Sequence, residues 1–535
     1  MNTESILILG AGLMQKPAIL SAKSLGLKVF LIDANPNAVC VPLADEFKQI
    51  DLKARKEIAD YALELKEKEN LISVFTAGTD FSASVSYACE KANLKSHSFK
   101  ASLNASEKNL MRSCFDKENV PSPKFVKISD NDVSNILTKD FIKASKYPLV
   151  VKPVDNMGAR GCRMIRDESE LIFSVNEAIK NSRSKNCILE EYMEGPEFSI
   201  DALVYDGTMT ITGFADRHIF FPPYFIEMGH TMPTRISKDK YNELIKTFAF
   251  GVKALGLTTG AAKADIKYTK NGPMIGEIAA RLSGGYMSGW TFPYSSDFNL
   301  TKAAIEISCG KKPLEMEKLR KELFIDAPFK MYEVSSKKVS AERAWISIPG
   351  IVKNVYGLDE KLHNENIKNI FPRVKTGDKV VFPRNNVEKC GNVISLANDF
   401  ETAINSCENI IKNITIELEK NVKETTDFLE GKNVQFEKNF PRNSFKLSDN
   451  IIEELNLELK NSDFEIPENE SVLKFIPQAL NKPEILKIKD WNYLTLLETI
   501  EKFDLLKPVH KKISYKKFWQ YLVNGGIQGA LYAAE

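Results

Sequence analysis

Short apolar runs alternate in this chain with segments whose apolar residues recur every three to four positions. Residues 5–9 are almost wholly apolar, Gly10-Ala-Gly12 follows as a tight turn, Pro17 suits a first helical turn, and residues 28–33 form a second apolar run. This is a βαβ pattern. Ile58, Tyr61, Ala62 and Leu65 share one helical face, residues 71–75 read as another strand, and Phe81, Val85, Ala88 and Ala92 mark a further helix. Residues 1–100 are therefore expected to form a doubly wound α/β domain.

From Ala101 the pattern changes. A polar helix start at 106–112 contains Lys108, and Asn119-Val-Pro-Ser-Pro123 stops it before a strand at 124–126. Residues 147–165 then read as a strand ending in Lys152, a loop carrying Gly158, Ala159, Arg160 and Gly161, and a second strand. The glycines let backbone N–H groups approach an anion closely, and Lys152 and Arg160 add positive charge, which makes the loop suited to covering a phosphate. An ordinary hairpin with turn glycines would look the same in isolation.

Asp167 and Glu170 predict a capping box ahead of a helix with Leu171, Ile172, Val175, Ala178 and Ile179 inside. A strand over 187–193 ends in Glu190 and Glu191, the strand from 195 begins with Glu197, and Asp206-Gly207 is a hairpin turn. Residues 213–230 are polar where a strand should be apolar and aromatic where a loop should be polar. That mixture suits a pocket wall, with Arg217, His218, Glu227 and His230 holding a second substrate or forming a satisfied hydrogen-bond cluster. After a helix at 241–255, strands from 258 and 273 are joined at Asn271-Gly272, expected as a type I′ turn. Their pairing brings Asp265 beside Glu277. Like charges so placed are unfavourable without a cation, and two carboxylates can hold one or two Mg²⁺ ions.

Lys152, Gly158, Gly161, Glu190 and Glu197, in this order, resemble the nucleotide site of the ATP-grasp superfamily, in which a lysine pair, a glycine-rich cover and an acidic hinge strand enclose ATP between two α+β subdomains. The resemblance implies that Lys108 and Lys152 bind phosphates together with Gly158, Ala159 and Gly161. It also implies that Glu190, Glu191, Tyr192 and Met193 form the hinge whose backbone reads adenine, and that Glu197 accepts from the ribose hydroxyls. Side-chain chemistry agrees, because an ammonium is a compact donor for polyphosphate and a carboxylate is acceptor-only. Asp265 and Glu277 are the implied ligands for Mg²⁺ or Mn²⁺. The superfamily's usual acid-x-Asn-x-Arg is here Glu277-Ile-Ala-Ala-Arg281, so Ala279 replaces a third ligand. Arg281 is the implied catalytic cation, with Lys152 and Arg160, and Ser283, Gly284 and Gly285 supply donors to the transferred group or substrate.

Beyond Lys311 the catalytic signals stop. Short β segments at 350–355, 377–382 and 390–395 and a helix over 400–411 resemble the closing subdomain of biotin carboxylase and of ATP-grasp ligases that join L-amino acids. The expected architecture is α/β and α+β multidomain, with an N-terminal α/β domain (1–100) and an ATP-grasp domain (101–340, with 146–195 as the nucleotide cover). A β-rich subdomain (341–420) and a mostly helical extension (421–535) complete it. A linker is expected near 421–443. The extension either packs on the main body or serves a homodimer.

Composition narrows the partners. A length of 535 residues exceeds what one core sustains, since cores stop growing near ~250–300 residues. Lys plus Arg (73) nearly cancels Asp plus Glu (71), so no global field draws nucleic acid or an anionic membrane. The absence of a long apolar run and of a basic leader predicts a cytoplasmic chain, and eight scattered cysteines predict buried free thiols. The expected activity is ATP- and Mg²⁺-dependent joining of a small carboxylate to an amine through an acyl phosphate, releasing ADP and phosphate. Activation of bicarbonate, as in biotin carboxylase or carbamoyl phosphate synthase, and a non-catalytic ATP sensor are the alternatives. A dinucleotide site at Gly10-x-Gly12 with Asp33 is a third, weakened by Gln15 at the last glycine position.

Overall fold

The computed structural model describes residues 3–138, 140–358, 364–432, 440–441, 443–462, 464–468, 470–506 and 513–534. They fall into two compact units: one from Met1–His218, His230–Ala341 and Leu396–Phe400, the other from Ile219–Gly229, Glu342–Ser395 and Glu401–Glu535.

The first unit begins with strands β1 (Ser5–Leu9), β2 (Lys28–Asp33), β3 (Glu46–Gln49) and β4 (Leu71–Phe75), all parallel in the order β3-β2-β1-β4. Helices α1 (Lys16–Ser24) and α2 (Arg55–Lys68) form crossovers, α3 (Ser82–Lys91) follows β4, and β1, β2 and β4 bury both faces. That is why β1 and β2 are continuously apolar. Helix α4 (Phe99–Ser106), capped by Ser98, leads into α5 (Lys108–Lys117). The periodicity alone did not reveal α4.

Strand β5 (Phe125–Ser129), helix α6 (Asp140–Ala144), strands β6 (Leu149–Pro153) and β7 (Arg163–Ile165), helix α7 (Leu171–Lys180) and strand β8 (Asn186–Glu191) make a small layer with sheet order β5-β8-β6-β7. Next come β9 (Glu197–Tyr205), β10 (Thr208–Phe220), β11 (Ile226–Met232), α8 (Lys238–Leu255), β12 (Gly260–Thr269) and β13 (Gly272–Ala279). Within the first unit β9, β10, β12 and β13 pair antiparallel in the order β13-β12-β9-β10. The period of two sorts their side chains. Phe198, Ile200, Ala262, Ala264 and Ile278 pack on α4, α5 and α8, while Glu197, Asp201, Lys263, Asp265 and Glu277 are left for the opposite face.

The β12–β13 turn departs from the expected type I′. Lys270 and Asn271 do not enter the left-handed region; Gly272 does, with φ 95°. Glycine, free of a Cβ, takes the strained conformation in Asn271's stead.

In the second unit Gly350–Tyr356 pairs antiparallel with Thr415–Leu418 and with Lys379–Val380, beside helices Phe400–Asn413, Lys423–Leu429, Asp449–Asn461, Leu496–Leu506 and Tyr515–Ala533. Residues 423–429, inside the expected linker, are therefore helical, and 433–439 and 442 of that segment lie outside the described residues. Polar Lys423, Glu424 and Asp427 make the segment look solvated, yet Leu429 is buried and Phe428 stacks on Phe382, with Phe221, Phe440 and Trp491 edge-on to the same ring. The eight cysteines are free thiols, five of them buried. Among the described residues no helix is long and apolar enough to cross a membrane.

Candidate active site

The glycine loop between β6 and β7 has the shape its composition implies. Gly158, Ala159 and Gly161 all have positive φ (66°, 59° and 68°), and a Cβ on Gly161 would lie 2.7 Å from the Asn181 Cβ. A turn containing such residues can present backbone N–H groups to an anion as a nest, and the N–H groups of Arg160 and Cys162 donate within the loop, to Met157 O and Ala159 O. Asn156 ties the loop base to Asn181 O at 2.7 Å, Asp155 accepts from Ser182 and from the backbone of Arg183 and Ser184, and Arg160 Nη1 donates within its own loop, to Met157 O.

Lys108, the first residue of α5, donates from its backbone to Val154 O and from Nζ to Asn156 O at 3.0 Å. The same Nζ is 3.6 Å from Glu277. Lys152, at the end of β6, pairs with Glu190 at 2.7 Å. Glu190 also accepts from Arg112 Nε at 2.7 Å, and Arg112 Nη2 donates to Gly276 O, one residue before Glu277. Burial alone would raise the Glu190 pKa; Arg112 and Lys152 outweigh it and hold the carboxyl below its ordinary value. The Glu190 side chain is thus committed to the protein interior, and its backbone lies between β5 and β6 in the sheet. Arg112 went unnoticed in the sequence, where it reads as one more polar helical residue.

On the open face, β12 pairs Asp265 with Glu277 on one side and with Ser199 on the other. Arg217 lies 2.6 Å from Glu197 and 2.8 Å from Asp265, Lys263 binds Asp265, and Lys267 donates to Met193 O at 3.1 Å while facing Glu197 at 3.5 Å. Lys263 and Lys267 were also missed; their signal was the two-residue spacing that puts both on the Asp265 face. Burial acts to raise the Glu277 pKa, but Lys108, Lys263, Arg281 and Lys152 pull it down to about 2. An ionised, 29% exposed carboxylate in a ring of cations is a hard oxygen donor, which fits Mg²⁺, and the cation set with the nest fits a polyphosphate.

Arg281 follows β13, with Nη1 donating to Leu282 O at 3.0 Å and Nε 3.9 Å from Asp80. Gly284 packs on Gly78, where an added Cβ would come within 3.2 Å of Gly78 O, so the loops after β4 and β13 touch. Ser283 is held from below: its N–H and Oγ donate to the fully buried Asp201, the hydroxyl at 2.6 Å. Burial pushes Asp201 up to about 7 against the pull of Ser283, Lys263 and Arg281. The folded state therefore holds this proton more tightly than the unfolded chain, and the stability it adds is lost as pH rises from 3.8 through about 7. Asp201→Asn, which does not titrate, should melt at a temperature that rises relative to the parent between pH 5 and pH 8; a pH-independent difference would contradict this.

The remaining residues proposed for substrate have local partners. His218 Nε2 is 3.1 Å from Thr231 Oγ1, and His230 Nε2 is 2.7 Å from Thr291 Oγ1. Glu227 belongs to the second unit, its N–H donating to Asn386 Oδ1 and its carbonyl accepting from Lys389. Beside the Gly10-x-Gly12 turn Gln15 is buried, its side-chain oxygen accepting from Ala77 N–H; a Cβ on Gly10 would lie 3.4 Å from Gln15, one on Gly12 would meet open space, and Asp33 accepts from Ala11 N–H at 2.7 Å and Asn35 N–H at 2.9 Å.

Residues 145–289 match the ATP-grasp domain family, and residues 344–419 match L-amino acid ligase C-terminal domain 2. The chain is 22% identical over 341 residues to carnosine synthase 1 of Homo sapiens, covering 58% of this chain and 40% of that protein. It is 25% identical over 261 residues to alanine–anticapsin ligase of Bacillus subtilis (strain 168), covering 44% and 53%. The chain thus spans about half the length of these relatives. Among solved structures, L-amino acid ligase from Bacillus licheniformis superposes with a TM-score of 0.65 at 18% identity, over 78% of this chain and all of that one. Phosphoribosylglycinamide synthetase from Anaerococcus prevotii gives 0.58 at 23% identity, with the same coverage.

Proposed function

We propose, from the premise that this chain is an ATP-grasp protein carrying an L-amino acid ligase C-terminal domain, that it joins a small carboxylate to an amine at the expense of ATP. In the proposed reaction a carboxylate oxygen attacks the γ-phosphorus and ADP departs. The amine nitrogen then attacks the acyl-phosphate carbon, phosphate leaves, the nitrogen gives up a proton, and an amide or peptide bond remains.

One observation carries this reading: groups from α5, β6, β8, β9, β10, β12 and β13 meet in one cluster, linked by the Lys108–Glu277, Lys152–Glu190, Arg217–Glu197 and Arg217–Asp265 ion pairs. Lys108, Lys152 and the 156–161 loop would hold the phosphates. Glu197 keeps acceptor capacity for ribose hydroxyls, since a carboxylate offers about four lone-pair sites. Arg281 would stabilise charge on the acyl phosphate, and Arg217, His218 and His230 of the first unit would select the acid or the amine. Glu277, with Asp265 beside it, would hold Mg²⁺, which when bound neutralises phosphate charge and orients the terminal group.

Pairwise screening of amino acids and small carboxylates for phosphate release tests the proposal, with Lys152→Ala as control. Release should need both partners and fall by about 10²-fold or more in the variant. ATP turnover that needs bicarbonate and no amine, or nucleotide binding without turnover in any pair, would overturn it.

A further inference from the structure

Asp265 and Glu277 face one another on adjacent strands, but their oxygens are not equally available. Both oxygens of Asp265 face cations of the protein: Oδ2 accepts from Lys263 Nζ, and Oδ1 lies 2.8 Å from Arg217 Nη1. Among the described residues Glu277 has one ion pair, with Lys108 at 3.6 Å, and its carboxylate makes no hydrogen bond; Lys263, Arg281 and Lys152 act on it from farther away. Position 279 adds no oxygen. Ala279 is the strand partner of Lys263, so the corner bounded by Asp265, Glu277 and residue 279 contains a methyl group and an ammonium.

We infer that this site takes a single divalent cation, on Glu277, and that the Lys263 ammonium occupies the place beside Asp265 where a second cation would otherwise bind. This rests on the proposed nucleotide site. Lys263 cannot readily turn away, being only 9% exposed and set between Asp265 and the buried Asp201, its partner on β9. A second Mg²⁺ would need several oxygen ligands in near-octahedral array. It would find one carboxylate already paired, no ligand at position 279, and two fixed positive charges nearby. Lys263 instead delivers one positive charge to the phosphate face without metal, as a compact ammonium can.

Counting Mn²⁺ by electron paramagnetic resonance, with the full chain and a non-hydrolysable ATP analogue, tests this without turnover. One Mn²⁺ per bound nucleotide, with no spin coupling to a second, is expected. Glu277→Gln should weaken that Mn²⁺ by about tenfold or more, and Asp265→Asn by less than about threefold. Two coupled Mn²⁺ ions in the parent chain, or loss of Mn²⁺ from Asp265→Asn with nucleotide still bound, would overturn the inference and leave the ligase proposal standing. Failure to bind nucleotide at all would overturn both.

Discussion

Replacing Arg112 by alanine is expected to destabilise the first unit by about 3–5 kcal/mol, the cost of removing one partner from a buried charge. Arg112 has no exposed surface and Glu190 almost none, so the carboxylate would keep only Lys152 and lose the interaction that offsets its burial. The paired Glu190 has its pKa held below 4.5, so its contribution is present above pH 4.5 and disappears as pH falls below it. Urea unfolding at pH 7 and pH 4 measures both effects. A change under about 1 kcal/mol at pH 7 would contradict the assignment.

Arg281→Ala should lower kcat for amide formation by about 10²–10³-fold while changing affinity for the ATP analogue by less than about threefold. In the proposed reaction Arg281 would meet charge that develops after the nucleotide is bound. The nest, Lys108 and Lys152 surround the proposed phosphates, whereas the guanidinium sits between Leu282 O and Asp80, beside the Gly78–Gly284 contact. Arg281→Lys should recover a fraction of the rate, because one ammonium cannot reproduce a guanidinium's fork of donors. A variant that loses nucleotide affinity and rate together would move Arg281 from the reacting group to the phosphate clamp.

Much of the site was legible because its signals are local. Lys152 and the glycines of the 158–161 loop lie within ten residues, and the pairing of Asp265 with Glu277 follows from a short loop and the two-residue period of strands. Arg112, Lys263 and Asp201 were not legible. One reads as a polar helical residue and the others as polar positions on half-buried strands, and nothing in the spacing marks Asp201 as fully buried beneath Ser283. The linker expected at 421–443 was misread for a related reason: the outer face of the 423–429 helix is charged, and its inner face carries only Phe428, Leu429 and Thr425.

By itself the sequence determined the βαβ start of the chain, the 156–161 loop whose glycines ease left-handed turns, and the residue types able to meet a phosphate, a ribose or a divalent ion. Only the tertiary structure decided that Glu190 serves Arg112 and Lys152, that Lys263 and Arg217 occupy Asp265, and that Glu277 is left open. The physical reason is that Coulomb attraction depends on distance through space and on the loss of water at each group. Neither quantity exists until β6, β8, β12 and β13 are brought together with α5.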